Sequence, residues 1–320
     1  MTLSRVRPKE HKRNQIRLST GDRAFSIFSH AIVLLFAFLC FYPFWYVFIN
    51  SIVTGDAARE GVFFFPLPGQ FYFGTYEMIF RTGEIFAGMR ISAARVLVST
   101  VGCVTFSAMF AFLVSRQQLP FRKIIYRFAI VTMYINAGLI PWYIMMKAYG
   151  LTNNFATYVV PAMLNVWFVI LIKTFIESAI PPELEESAKV DGARFDIIFF
   201  RIILPLCKPI LATCVLFNAV GAWNTYLDNW ILVTDPRLQT VQMVLFNHIR
   251  QTESLAATLR NVALAGGTIA PGMQEALRNN LTVDSVRNAT TLVSMIPIMM
   301  IYPFLQKYFA KGIMLGAVKG

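Results

Sequence analysis

Residues 25–52 read FSIFSHAIVLLFAFLCFYPFWYVFINSI, a run nearly free of charge. About 20 apolar residues cross the hydrocarbon of a bilayer as a helix, so this stretch spans with length left for tilt. Phe41, Tyr42, Trp45 and Tyr46 gather towards its end, where aromatic rings favour the headgroup level. Pro43 is a candidate kink. The run is too long for the apolar segment of a cleaved leader, and no small-x-small site closes it.

The rest of the chain agrees. Of 320 residues, 56% are hydrophobic and only 14% charged, where soluble chains hold about 45–50% and about 25%. Mean hydropathy is +0.56. Five more spans are expected, at about Ile91 to Val114, Ile124 to Met146, Tyr158 to Ile176, Ile203 to Trp223 and Thr290 to Tyr308. The second carries small residues (Ser99, Gly102, Ser107, Ala108, Ala111) that suit close helix contact, and Arg95, positioned to snorkel outward. Asn136, Gly138 and Pro141 interrupt the third. Pro161 and Asn165 open the fourth, facing other helices, and Lys173 near its end can snorkel to the inner interface. Pro205 and Pro209 break the fifth near its start.

The formal net charge is +12. Arg5, Arg7, Lys9, Lys12, Arg13, Arg17 and Arg23 make residues 1–24 a basic cytoplasmic tail. No aromatic residues are interleaved among them, as a nucleic-acid arm would need. Arg116 to Lys123, the 178–202 segment and the C-terminal end are also basic or carry basic residues. The short Tyr149–Phe155 loop has no charge. By the positive-inside rule both termini lie in the cytoplasm. The expected fold is therefore all-α: a polytopic membrane protein with six transmembrane helices. The domain plan is a tail at 1–24, a transmembrane domain at 25–309 with a long outer segment at 224–288, and a C-terminal tail at 310–320.

Cys40, Cys103, Cys207 and Cys214 lie in or beside apolar runs with no metal-ligand spacing. His11, His30 and His248 are scattered, and no Gly-Lys-Ser/Thr phosphate loop occurs, so the chain is expected to catalyse nothing itself. No series of intramembrane carboxylates points to a proton relay.

One charged segment cannot lie in lipid: Pro181-Pro-Glu-Leu-Glu-Glu-Ser-Ala-Lys-Val-Asp-Gly-Ala193. Two prolines and three early glutamates mark a helix start. Gly192 ends it and Ala193 begins a second short helix, with Phe195, Phe199 and Phe200 recurring at helical spacing. A stiff surface helix pair of this kind suits docking into a groove on a soluble partner, and on local physics alone an amphipathic helix lying on the membrane suits it equally.

The segment resembles the signature of permease subunits of bacterial ABC importers: Glu-Ala-Ala, three residues, Gly, nine residues, Ile, one residue, Leu-Pro. Glu186-Ser187-Ala188, Gly192, Ile202 and Leu204-Pro205 match at every spacing, with Ser187 in place of Ala. Further pieces, Trp223-Asn-Thr-Tyr-Leu-Asp-Asn-Trp230, Leu238-Gln-Thr-Val-Gln242 and the terminal residues 306–320, resemble the carbohydrate branch, in particular the maltose-permease-like second subunit and the permeases of the aldouronate and lipoprotein-linked polysaccharide type. The resemblance covers the chain from about residue 25 onward.

It implies a type I ABC importer permease fold in the bacterial cytoplasmic membrane. It also implies a coupling helix region at 183–202, docked into a separate ATPase that supplies ATP and Mg; this chain would hold no cofactor or metal. Glu185, Glu186, Ser187, Ala188, Asp191, Gly192 and Ala193 would lie at or near the docking surface, with Gly192 placed where a side chain would crowd the turn. The implied partners are a second, distinct permease subunit, two copies of the ATP-binding subunit, an extracytoplasmic solute-binding protein and membrane lipid. The outer segment, including an Ala265-Gly-Gly267 turn, would meet the binding protein. A sugar path needs aromatic faces with amide and hydroxyl partners, for which Asn136, Tyr143, Asn165, Trp167, Trp223, Asn224 and Tyr226 are the candidates. The alternatives are an importer permease for a non-sugar solute, an ion-coupled secondary carrier, for which no internal repeat is evident, and a non-transporting membrane scaffold.

Overall fold

The computed structural model describes residues 20–81, 83–264 and 283–317. The expectations on residues 1–19, on the Ala265–Gly267 turn and on the last three residues lie outside these. What is described is helical, apart from one isolated antiparallel bridge between Val53 and Phe71.

Helix α1 (Thr20–Ser51) runs unbroken through Pro43. Two short helices, α2 (Gly55–Glu60) and α3 (Gly74–Arg81), fill the connection to α4 (Glu84–Ser115). Next come α5 (Arg122–Tyr134), α6 (Leu139–Ala148) and α7 (Val166–Ala179). Helix α8 (Glu183–Val190) is followed by α9 (Phe195–Ile197), which continues through a π-helical turn at Ile198–Ile203 into α10 (Leu204–Leu206). Then come α11 (Lys208–Asn224), α12 (Leu227–Leu232), α13 (Val241–Leu264) and α14 (Val283–Ala317).

Helix α4 is the centre, flanked by α7 and α11, while α14 is packed by α1, α11 and α13. The small residues of α4 explain its place. Ser99, Ser107, Ala108 and Ala111 are all buried, and their size lets neighbouring backbones come close where lipid supplies no hydrophobic drive between helices. Beside them Val104 and Phe112 pack with Phe168, Val169, Ile172, Ile198 and Ile203. At the other end of α4, Gly88 lets α13 approach: a methyl group there would stand 3.0 Å from the backbone of Val241. Val241 N also donates to Ser92 Oγ at 2.9 Å.

Among the described residues, two helices are individually long and apolar enough to cross a membrane. They differ in placement: 6% of the most apolar window of α1 is buried within the chain, against 44% of that of α4, so α1 is peripheral and α4 central. Three further candidate spans are bent pairs, giving up to five among the described residues. The expected third span is α5 plus α6, turned by 120° across Ile135–Gly138, where Asn136 Oδ1 accepts from Gly138 N at 2.9 Å. The expected fourth is a 3₁₀ stretch, Phe155–Ala162, and then α7, at 43°. The expected fifth, drawn from Ile203, instead turns by 80° at Cys207, so its straight part begins at Lys208. Pro205 and Pro209 flank the turn and remove the amide donors that a continuous helix would use. The expected sixth falls within α14. The outer segment drawn as 224–288 holds α12 and the 24-residue α13 rather than an irregular loop.

Candidate functional site

Two features can carry function: the α8–α9 pair and a cleft among α4, α7 and α11. The α8 N-terminus forms as its sequence dictates, with Pro182 at the cap position and Glu183, Glu185 and Glu186 in the first turn. Its C-terminus is a Schellman motif. Ala193 N donates to Ala188 O at 2.9 Å and Gly192 N to Lys189 O at 3.0 Å. Gly192 takes φ +78°, which is why glycine stands there. Crowding is not the reason, since no atom lies within 4 Å of where a Cβ would be. The second helix starts at Phe195, two residues beyond the expected Ala193.

The seven expected docking residues divide by face. Glu185 and Ala188 are buried, turned towards the bundle. Glu185 pairs with Arg116, just past the end of α4, and with Lys189 Nζ at 2.9 Å. The Arg116 guanidinium lies over the Phe112 ring, 4.3 Å from its centre, and Phe112 packs against Phe195 and Phe199 at 4.8 and 5.3 Å. Burial draws the Arg116 pKa below the usual arginine value, with Cys207 and Glu177 opposing, yet an arginine stays charged at any working pH. Glu186, Ser187, Asp191 and Gly192 face solvent, and Ala193 is half-buried.

Two participants escaped the sequence reading. Val190 is 87% exposed, an apolar side chain standing off the tip of α8 beside the Asp191–Gly192 turn. Its signal was an apolar residue against a helix-ending Asp-Gly in a charged segment. Arg116 had counted only as one charge in a basic loop.

The seven sugar-path candidates are not brought together. Asn165 caps α7, accepting from Trp167 N at 3.0 Å, and its own N donates to Ser107 Oγ at 3.1 Å. Trp167 and Tyr143 are exposed on α7 and α6, and Asn136 is exposed at the α5–α6 break. Trp223 is buried and donates to Ser294 O at 3.1 Å, tying α11 to α14. Asn224 is exposed, and Tyr226 stacks on Phe246 at 5.0 Å. Of the seven, Asn165 alone lines the cleft of about 260 Å³ that opens among α4, α7 and α11.

Arg95 also lines that cleft, and it does not snorkel. It is 5% exposed because Asp228 of α12 supplies a counter-charge: Nη1 reaches Oδ1 at 3.1 Å and Nη2 reaches Oδ2 at 2.5 Å, while Nη1 also donates to Thr225 O. The guanidinium lies 4.8 Å from the centre of the Tyr158 ring, whose hydroxyl donates to Leu238 O at 2.8 Å. Paired in two places, the charge has no need of the interface. Lys173, expected to reach the inner interface, bonds Glu177 at 2.6 Å. Among the described residues, no group of three or more His, Cys, Asp or Glu could hold a metal ion.

No family model matches the chain. Individual relatives do. The chain is 31% identical over 299 residues to the polygalacturonan/rhamnogalacturonan transport system permease protein YtcP of Bacillus subtilis (strain 168), covering 93% of this chain and 99% of that one. It is 33% identical to the protein LplC of the same organism over 279 residues, 87% of this chain and 89% of that one. Among solved structures, a chain from the crystal structure of a bacterial ABC transporter involved in the import of the acidic polysaccharide alginate superposes with a TM-score of 0.76 at 27% identity, over 91% of this chain and 99% of that one. The bent spans, the helix pair beyond the α4 end and these likenesses over nearly the whole length converge: the chain belongs to the carbohydrate-type permease subunits of ABC importers, and is a non-catalytic, multi-pass membrane subunit of such a transporter.

Proposed function

We propose that this permease moves an oligosaccharide from an extracytoplasmic solute-binding protein into the cytoplasm, with ATP hydrolysed by a separate pair of ATP-binding subunits and a second, distinct permease completing the path. In this reading six helices span the bilayer, both termini are cytoplasmic and α8–α9 is the coupling element. The supporting observation is the shape of that pair. One face is fixed to the bundle through Glu185 and Ala188, and the other presents Glu186, Asp191 and the protruding Val190. An apolar tip on a stiff, acidic helix matches what inserts into a groove of a soluble partner. Oligosaccharide as cargo is supported by the relatives, whose named substrates are polygalacturonan and rhamnogalacturonan for one and melibiose, raffinose and stachyose for another.

The test is copurification of the ATP-binding subunit with the membrane chain, comparing wild type with Val190→Asp. Val190 touches little of its own chain, so the variant should fold and insert normally and lose the ATPase. An ATPase retained at wild-type yield by Val190→Asp would remove α8 from the docking surface.

A further inference from the structure

We infer that the uncharged loop between α2 and α3 is a membrane anchor. It folds back along α1 and seats Phe64, Phe65 and Leu67 among the lipids of the leaflet at the C-terminal end of α1, the extracytoplasmic leaflet in the topology proposed above. The path of the chain is the basis. No residue from Gly61 to Tyr76 is charged, and the run opens Gly-Val-Phe-Phe-Phe-Pro-Leu-Pro-Gly. Gly61, at φ +78°, reverses the chain where α2 ends. Asn50, fully buried near the end of α1, then holds Val62: Asn50 Nδ2 donates to Val62 O, and Val62 N donates to Asn50 Oδ1, both at 2.9 Å. Further along the loop and lower on the helix, Trp45 Nε1 donates to Phe64 O at 2.9 Å. The rings follow the same descent. Phe63 packs on Tyr46 with 6.4 Å between centres, Phe65 meets Trp45 edge-on at 5.6 Å and Phe64 reaches Tyr42 at 6.0 Å. From Asn50 back to Tyr42 the helix falls by about 12 Å, so the loop runs down α1 and does not stand away from it. It then climbs again: Leu67 N donates to Gln70 Oε1 at 2.7 Å, and Thr54 N to Gln70 O at 2.8 Å.

The level reached is that of the bilayer boundary. No Asp, Glu, Lys or Arg lies between Arg23 and Asp56, and Phe25 to Trp45 makes about 30 Å of helix, the thickness of the hydrocarbon core. Tyr42, Trp45 and Tyr46 therefore stand where aromatic rings meet headgroups, and the loop's rings pack on those three. Phe63, Phe64, Phe65 and Leu67 are each more than half exposed within the chain, a concentration of apolar surface that water does not favour. Irregular backbone against lipid is costly wherever its polar groups go unpaired. This loop keeps that cost low: Pro66 and Pro68 have no N–H, Leu67 N goes to Gln70 and Phe64 O to Trp45. The nearest charges, Glu60 and Glu77, stand outside the loop on either side. An anchor here has work to do. Within the chain α1 is peripheral, packed mainly on α14, and interfacial aromatic residues fix the depth and rotation of such a helix.

The experiment uses the whole chain, copurified with its partner subunits and placed in phospholipid nanodiscs. A nitroxide is attached at one cysteine at a time, Phe65→Cys, Leu67→Cys or Glu60→Cys, with Cys40→Ala removing the exposed native thiol. Collisions with oxygen, which concentrates in lipid, are compared with collisions with a water-soluble nickel chelate. Residue 60 should favour nickel, and the preference should invert to oxygen at residues 65 and 67, with or without the solute-binding protein. Both loop side chains are largely exposed, so the labelled complexes should assemble as wild type does. Nickel preferred at 65 and 67 puts the loop in water and overturns the anchor. Few collisions with either reagent means that protein covers the loop, the second permease or, where this appears only on adding it, the solute-binding protein, and overturns lipid as the occupant. The readout needs no transport, so failure of the sugar reading leaves this result standing.

Discussion

Arg116 and Glu185 form an ion pair across the gap between the C-terminal end of α4 and the first turn of α8, with side chains 15% and 5% exposed. The pair joins the central helix of the bundle to the element read as coupling, and Lys189 adds a second cation on the same carboxylate. Were α8 to move, this short charged connection would carry the movement to α4.

Removing one partner of such a pair leaves the other charge buried. Glu185→Gln, which keeps the shape, should cost about 2 kcal/mol, less than the roughly 3–5 kcal/mol of a fully buried pair, because Lys189 and Arg116 still reach some solvent. Thermal unfolding of the purified complex reads this, and stimulation of ATP turnover by loaded binding protein should fall with it. The double variant Glu185→Leu/Arg116→Met removes both charges and should recover most of the thermal midpoint. Equal midpoints for wild type and Glu185→Gln would mean the pair does not anchor the helix.

Gly88 and Val241 set a different limit. A Cβ at Gly88 would meet the Val241 backbone at 3.0 Å, and backbone cannot swing aside as a side-chain tip can. Gly88→Ala should therefore separate α4 from α13 slightly, strain the Val241 N to Ser92 Oγ bond and destabilise the protein by about 1–3 kcal/mol. An unchanged unfolding midpoint would show that α13 yields freely.

The helical plan and the turn at Gly192 were legible because they depend on neighbours in sequence: apolar runs, prolines, an Asp-Gly after a charged helix. Arg95 was misread because its partner Asp228 lies 133 positions away, and nothing near Arg95 distinguishes an arginine paired in the bundle from one reaching the interface. Trp223 was equally ambiguous: a tryptophan near a span end fits an aromatic belt or a sugar path, and only α14, meeting it at Ser294, shows its indole bound between helices. The residues that interrupt the third span were visible, and two of them shape the turn there, Gly138 at φ +85° with its amide donating to Asn136 Oδ1, but its 120° size was not legible from them.

Asn229 ties α12 to the start of α13. It is fully buried, and its Oδ1 accepts from Thr240 N at 2.7 Å and Thr240 Oγ1 at 3.1 Å, fixing the turn that launches α13. Asn229→Leu fills the space but leaves both Thr240 groups unpaired, which should cost about 2–4 kcal/mol. Protease cleavage within residues 233–240 of the assembled transporter should rise accordingly. Cleavage at the wild-type rate would mean the turn is held by other contacts.

His248 makes α13 sensitive to acid. It lies on α13 at 9% exposure, and its Nε2 has no hydrogen-bond partner among the described residues. Burial pushes its pKa below the ordinary 6.5, with Glu84 opposing. The unfolded chain therefore takes up a proton near pH 6.5 while the folded one resists until lower pH. Stability is thus full above about pH 6.5 and declines as the pH falls through the window between the two values. Unfolding midpoints measured from pH 7.5 down to 5 should drop for wild type. They should drop less for His248→Phe, which keeps an apolar ring in the same space and has no proton to bind. If the two proteins fall in parallel, His248 is not the group that titrates, and the acid response belongs to carboxylates elsewhere.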